Sequence, residues 1–551
     1  MSRFRQALRE ALLEGGGEAG SDSDRRWLYV PYDQLNEGFG PLATEPPGEL
    51  GLVFVESLAK GRRRPYHKQK LALVLANMRH FALEQARRGV AIRYLHTEGS
   101  YAEALAAIAN ELGPLVHMRP FERELRVELE PLVESGALTV LPHEGELTTP
   151  EDFASLGKPP WRMDAFYRRV RKRTGILMED GKPIGGKYSF DAENRQAWKG
   201  EPPAPELPVF FPDELTREVG ALVDELFADH PGRVDLAMLP ATKADAERFW
   251  QWAKSECLPT FGPYEDAMSR EQRTLFHSRL SPLINLHRLL PGRILDDVLE
   301  LELPFASKEG FVRQLIGWRE FMRHVHEATD GFRRAPAAGM SVPPVVELQN
   351  APEGTPEVLD GGACPSKLGE GQSLPPAFWG AKSGLNCLDT VVESVVEEGW
   401  SHHITRLMVL SNLSTLLDCS PRELTDWFWE MYVDAYDWVV EPNVLGMGTF
   451  AVGELFTTKP YVCGSNYIHK MSDYCEGCAF HPKKTCPIAD LYWAFLGRHA
   501  ETLDGNRRLA MPLRSLKKRS AEKKDRDARV FQWCRDTLEA GQALTPETLP
   551  D

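Results

Sequence analysis

No uninterrupted apolar run in the 551 residues approaches the roughly 18 that a membrane-spanning helix needs, so no anchor in a bilayer is expected. The first 27 residues lack the apolar core of a secretory leader, and the protein is expected to be cytoplasmic. An excess of positive charge is also missing. Lys and Arg number 65 against 80 Asp and Glu, a net charge of −15, which excludes a protein that coats nucleic acid with its whole surface. Any such contact must come from local basic patches. Nine cysteines are too few for a disulfide scaffold of this length. An apolar content of 42% with 26% charged residues excludes a disordered or fibrous chain, and the length suggests three to four compact units.

What is present begins with a short amphipathic piece followed by a Gly-rich and acidic stretch, so residues 1–25 are expected to form a mobile extension. Strand patterns at 27–31, 51–55, 91–95, 114–118 and 138–141 then alternate with helical periodicity at 66–89 and 101–112. Such alternation implies right-handed crossovers and a parallel sheet, a Rossmann-like α/β domain over 26–145. This domain lacks the G-x-G-x-x-G fingerprint, so neither NAD nor FAD is assigned to it. Residues 146–240 are rich in Pro and Gly and read as a long interdomain connection. From 241 to 513 the patterns are helical, at 242–257, 308–328, 388–417 and 420–437, with a Pro/Gly-rich interruption over 335–375. Residues 514–551 read as a charged tail.

Three basic clusters interrupt the acidic background. Lys60, Arg62, Arg63 and Arg64 with Lys68 and Lys70 form the first; Arg168, Arg169, Arg171, Lys172 and Arg173, beside Phe166 and Tyr167, form the second; Arg514, Lys517, Lys518, Arg519, Lys523 and Lys524 form the third. Each fits phosphate binding or an ordinary solvated face. Four cysteines also cluster. Cys475 and Cys478 form a C-x-x-C turn, and Cys486-Pro487 follows after seven residues, a spacing suited to an iron–sulfur cluster or to zinc. Spacing leaves the fourth ligand open among Cys463, Cys364, Cys387 and Cys419, with His469 and His481 as alternatives in a zinc site.

Several longer segments resemble the cryptochrome/photolyase superfamily. Thr274-Leu-Phe-His-Ser278-Arg-Leu-Ser281-Pro282 is similar to its flavin-phosphate loop, and Gln314-Leu-Ile-Gly-Trp318-Arg319-Glu320-Phe321 to its Q-L-x-W-R-E-F helix. Gly185-Gly-Lys-Tyr-Ser-Phe-Asp191-Ala-Glu-Asn-Arg195, His402-His403-Ile-Thr-Arg406, Pro442-Asn443, Lys459-Pro-Tyr461, Asn466-Tyr467 and Met471-Ser-Asp-Tyr-Cys475 resemble one branch, the iron–sulfur bacterial cryptochromes and prokaryotic (6-4) photolyases. The resemblance spans about 29–513.

The resemblance implies an N-terminal antenna domain, a long linker and an all-α FAD-binding domain. It implies light-driven repair of (6-4) photoproducts in UV-damaged DNA by a monomeric lyase, or, as the alternative, blue-light reception without repair. Ser278, Ser281, Gln314, Arg319, Asp434 and Asn443 would contact FAD. His403, supported by His402, would deliver a proton, and Tyr461 and Tyr467 would line the lesion pocket. Trp379 and Trp427 would carry electrons to the flavin; Phe428 stands where relatives offer a Tyr, and Trp429 is the neighbouring substitute. By position the implied [4Fe-4S] ligands are Cys387, Cys475, Cys478 and Cys486. Asp33 and Glu56 would bind a 6,7-dimethyl-8-ribityllumazine antenna, although Lys60 replaces an acidic residue there and could meet phosphate instead. The family's V-E-x-P-N appears as Val439-Val440-Glu441-Pro442-Asn443, which moves a carboxylate expected near the flavin by one position.

Overall fold

A computed structural model describes residues 2–16, 25–349 and 351–551. Five strands form one parallel sheet: β1 (Arg26–Tyr29), β2 (Leu50–Ser57), β3 (Ala91–Thr97), β4 (Leu115–Met118) and β5 (Leu138–Leu141), in the order β3-β2-β1-β4-β5. β2 is buried along nearly its whole length, and its run Leu50-Gly-Leu-Val-Phe-Val55 is apolar throughout rather than alternating. That is the signature of a central parallel strand covered on both faces. The helices Lys68–Arg87 and Tyr101–Leu112 supply the crossovers; the second starts at a Ser100–Glu103 capping box.

The rest of the described chain is mostly helical, with two short antiparallel pairs, Met178–Glu179 with Lys182–Pro183 and Val345–Val346 with Gly362–Ala363. A core of helices between Asn386 and Glu539 and a second built around Phe311–Val325 lie beside the core of the sheet domain. The connection over 146–240 is not a free linker. Leu215, Val219 and Val223 of the helix Glu214–Leu226 enter the core of the sheet domain, while Phe166 and Val170 of the helix Met163–Thr174 enter the second helical core.

Both ends depart from expectation. Within 1–25, residues Arg3–Gly15 form a docked helix rather than a mobile extension, because Phe4 is 1% exposed and packs its ring on Tyr94 at 4.5 Å. Residues 1 and 17–24 of that expected extension lie outside the described residues. The charged tail is two packed helices, Ala510–Lys517 and Ala521–Glu539, which bury Leu513, Leu516, Val530, Cys534 and Leu538. The pattern at 388–417 also breaks at Gly399, whose left-handed φ of 63° ends the helix Asn386–Glu398. The pattern at 420–437 stops at Met431 and resumes at Asp437.

Candidate active site

A cavity of about 1130 Å³, its open mouth included, lies within the helical region and gathers Ser278, Ser281, Gln314, Arg319, Asp434, Asn443, His402 and His403 from four separate parts of the chain. Three wide π-helical stretches border it: Arg313–Arg319, Arg406–Ser411 and Glu441–Gly448. Each inserts residues into a helical path and so re-aims the side chains it carries, a recurrent device at functional sites. The loop ahead of Ser281 adds two left-handed turns, at Leu275 and Arg279. Trp318, Trp400, Trp438, Phe261 and Phe311 give the cavity flat apolar walls.

Asp434 is the polar centre. Its two oxygens receive Arg406 at 3.0 Å each, and one accepts the Ser281 hydroxyl at 2.6 Å. Burial pushes the carboxyl up, but the Arg406 guanidinium and these hydrogen bonds hold it below its ordinary value. Asp434 is therefore a buried anchor and not a surface charge. Gln314 is oriented by Glu265 at 2.5 Å, and Asn443 by the Val439 carbonyl at 2.7 Å. Arg319 donates from Nη1 to Glu320 at 2.6 Å, while its buried Nε and Nη2 have no partner in the protein. Buried guanidinium nitrogens are rarely left unpaired. A guanidinium with two spare donors beside an aromatic-walled cavity suits an anionic, planar ligand such as a flavin dinucleotide.

The paired histidines divide as neighbours on a helix must. His402 is 3% exposed and stacks on His277 with ring centroids 4.4 Å apart, whereas His403 keeps 47% of its side chain accessible. Desolvation by the recess walls, and then Arg406, push the His403 imidazolium down to about 4. Asp266 faces it, Oδ1 lying 3.9 Å from Nε2. The same carboxylate accepts the Tyr467 hydroxyl at 3.5 Å and lies 3.7 Å from Arg195. Burial pushes its carboxyl up to about 6, against Arg195. Tyr461 stands farther out, where it feels the charges of Arg508, Asp191, Arg195 and Arg162. The ligand nitrogens of His277, His402 and His403 lie within 4.8 Å of one another. They do not make a metal site as placed, because the rings of His277 and His402 are nearly parallel, at 8°, and their in-plane lone pairs cannot converge on one ion.

Trp427 is buried and donates to the Phe378 carbonyl at 2.9 Å; Trp379, the next residue, is 52% exposed. On its inner side Trp427 meets Tyr432 with ring centroids 5.9 Å apart. Tyr432 lies under Arg406 at 4.1 Å and bonds Ser401 at 2.8 Å, both on the cavity wall. Trp429 is not the substitute carrier: it packs under the Arg64 guanidinium at 3.8 Å and lines a different cavity. Sequence patterns singled out neither Asp266 nor Tyr432; Arg406 and His277 lay inside quoted motifs without an assigned role. Glu441 does not line this cavity either. It is fully buried among His326 at 2.9 Å, Arg422 at 3.0 Å and Arg333 at 3.4 Å.

The four expected thiols converge. Burial pushes Cys387 up, and Cys486, Cys478 and Cys475 act on it next, while Cys463 is absent from that set and pairs its backbone with Asn412. Among the described residues no three of these sulfurs fall within 4.8 Å of one another. Four thiolates around one centre could hold either a tetrahedral zinc or an iron–sulfur cluster. His469 and His481 are exposed and outside the set.

A second cavity, of about 610 Å³, opens beside β2. Lys60 lines it and is held by Glu122 at 2.9 Å and Glu124 at 3.1 Å, so it does not await phosphate. Glu56 lines it too, but its carboxylate is engaged by Arg79 at 2.7 and 2.8 Å, His96 at 3.0 Å and Tyr94 at 2.5 Å. Asp33 lies behind Tyr32; its Oδ1 has no partner, and burial pushes its carboxyl up to about 7. The hydroxyls of Tyr32, Tyr66 and Tyr436 and Oε2 of Glu122 are likewise buried and unpaired among the described residues, while the surface of the cavity itself is mostly apolar.

Residues 28–238 match the family model of the deoxyribodipyrimidine photo-lyase-related protein. A (6-4) photolyase of Agrobacterium fabrum is 33% identical over 512 residues, covering 88% of this chain and 94% of that protein. The crystal structure of a bacterial class III photolyase from Agrobacterium tumefaciens superposes with a TM-score of 0.54 at 12% identity, covering 94% of this chain and 99% of that one, a likeness of fold. An uncharacterized protein of Acanthamoeba polyphaga mimivirus, R855, is 46% identical over 66 residues, 12% of this chain and 54% of its own length. With the sheet order, the helical cavity and the extent of the Agrobacterium fabrum match, the chain belongs to the photolyase-related family of the cryptochrome/photolyase superfamily.

Proposed function

We propose that the protein is a (6-4) photolyase that reverses pyrimidine–pyrimidone (6-4) photoproducts in DNA under blue light. The observation that carries the proposal is the single cavity that joins Arg319, with two of its nitrogens unpartnered among the described residues, and the Asp434–Arg406–Ser281 centre to an accessible His403. FAD held there in its reduced form would supply the photo-excited electron. Ser278 would present its hydroxyl to the phosphates, Ser281, whose proton goes to Asp434, would fix that carboxylate beside them, Arg319 would add charge-assisted contacts, and Gln314 and Asn443 hold fixed amides. The damaged bases must leave the duplex stack to reach the recess. His403 holds at Nε2 the proton delivered to the migrating hydroxyl, while Asp266 steadies the imidazolium and Tyr467. His402, stacked on His277, supports that wall. Trp379 and Trp427 lead electrons inward from the surface, and Tyr432 bridges Trp427 to the cavity.

Cys387, Cys475, Cys478 and Cys486 would hold a [4Fe-4S] cluster. The second cavity would hold 6,7-dimethyl-8-ribityllumazine against Tyr32, Tyr436 and Glu122, with Asp33 behind them. The test is repair of an oligonucleotide carrying one (6-4) lesion, with a dark control and a cyclobutane-dimer substrate beside it. Light-dependent restoration of the (6-4) site alone supports the proposal. No repair of either lesion by protein with its full flavin and cluster overturns it in favour of the photoreceptor.

A further inference from the structure

The three basic clusters have different fates in the fold. In the first, Arg63 and Arg64 are buried and paired with Glu124 and Glu128, and Lys60 with Glu122 and Glu124. In the second, Arg171 is buried against the carbonyls of residues 176, 177 and 188, Arg173 is taken by Asp152, Arg168 by Asp164 and Arg169 by the Ser155 hydroxyl. In the second, Lys172 stays exposed and Arg169 meets only a neutral hydroxyl, and the third is the most open of the three. Arg519 is spent on Asp527 at 2.6 Å, but Arg514, Lys517, Lys518, Lys523 and Lys524 are exposed with no ion pair among the described residues, as are Arg507 and Arg508 just before them.

These cations are ordered along one face. Leu509, Leu513 and Leu516 are buried, which fixes the rotation of the helix Ala510–Lys517 and puts Arg507, Arg514 and Lys518 on its outer stripe. Lys523 and Lys524 then occupy the first turn of the helix Ala521–Glu539, where the helix dipole disfavours cations and favours an anion. One acidic residue, Glu522, lies within 507–524, in a chain whose net charge is −15. The surface is also tied to the segment that leads into Tyr461. Asn506 donates to Glu454 at 2.8 Å and to the Thr458 carbonyl at 2.9 Å, fixing this segment against the strand of chain that carries Lys459 and Tyr461. The charge of Arg508 is felt at both of those residues.

We infer that the face from Arg507 to Lys524 is a second nucleic-acid contact, a backbone track that grips duplex DNA beyond the flipped lesion. The inference rests on the repair reading above and adds where the flanking duplex lies. The eight residues of the helix Ala510–Lys517 span about 12 Å, roughly three to four base pairs of phosphate backbone. A short single-stranded substrate that fills only the cavity would not reach the track; a long duplex would.

The test compares the protein with an Arg514→Gln, Lys517→Gln, Lys518→Gln variant, all exposed positions, after equal melting temperatures confirm equal folding. Binding to an undamaged 30-base-pair duplex is measured from about 50 to 200 mM salt. The variant is expected to bind about tenfold more weakly at the low-salt end, and the slope of log affinity against log salt to flatten by about 2 to 3, near 0.9 per lost phosphate contact. An unchanged affinity and slope overturn the inference and leave a solvated face or a site for another partner. Repair of a lesion-bearing pentanucleotide is followed in the same preparations. Equal repair by both proteins beside a flattened slope supports the track. Absent repair in both counts against the repair reading, and the salt slope still decides the track.

Discussion

Asp266 and His403 show how much of the chemistry rests on a pair that spacing does not announce, since 137 positions separate them in the chain and 3.9 Å in space. His403 titrates below its ordinary value because the recess desolvates it and Arg406 repels its proton. The protonated donor is therefore scarce at neutral pH, and repair is expected to rise as pH falls from about 8 to 6. Asp266→Asn removes a facing carboxylate and should move that profile to lower pH, read as repair yield per absorbed photon against pH. His403→Ala should abolish repair while flavin content, read from its blue absorption band, persists; full repair would remove His403 from the proton-transfer role. Trp427→Phe interrupts the route from Trp379 to Tyr432 and should slow photoreduction of the oxidised flavin at least tenfold, followed by bleaching of the same band with an external reductant.

At the level of elements, the helical cavity depends on turns that leave no mark in hydrophobic periodicity. The π-helical stretches at 313–319, 406–411 and 441–448 each fall inside or beside a segment that reads as ordinary helix or turn, yet they bring Arg319, Arg406 and Asn443 to one cavity. The cysteine set has the same character. A C-x-x-C turn was legible, but Cys387 belongs to the N-terminal turn of a helix 88 positions earlier; spacing left it level with Cys463, the family resemblance favoured it, and the fold sets it beside Cys486. Cys387→Ala should therefore remove the broad visible absorption of a cluster, and Cys463→Ala should retain it. The N-terminal helix is a structural element in its own right. Phe4→Ala leaves a cavity against Tyr94 and Arg79 and should cost about 3 kcal/mol, seen as a lower first melting transition.

Across the whole molecule, buried ion networks join segments that lie far apart in sequence. Glu441 ties Arg333, Arg422 and His326 together, and despite full burial these partners hold its carboxyl near 2. A depressed carboxyl contributes stability that is complete above its ordinary value near 4.5 and is lost as pH falls towards 2. The shift corresponds to about 3 kcal/mol. Glu441→Gln should thus unfold at lower temperature at pH 7, and the difference from the unmodified protein should shrink towards pH 2 in thermal scans. The charge distribution follows the same logic at larger scale: a chain that is acidic overall pairs much of its first two basic clusters internally and leaves the third on the surface.

The sequence by itself determined the alternating α/β start, the parallel sheet and the helical remainder, because strand and helix periods are local and the apolar run of β2 can be satisfied only between two covered faces. It also carried the motif residues of the cavity, since those side chains are fixed by the group they serve. Tertiary structure alone decided which charges stay free. Lys60 and Arg64 and, by contrast, Arg514 and Lys518 look alike as strings of cations. Glu124 approaches the first pair through the fold, and no acid approaches the second. The fates of residues 3–15 and 510–539 were decided in the same way. Short amphipathic helices near chain ends are marginal alone and become fixed when a partner surface buries their apolar stripe, and that surface exists only once the chain has folded.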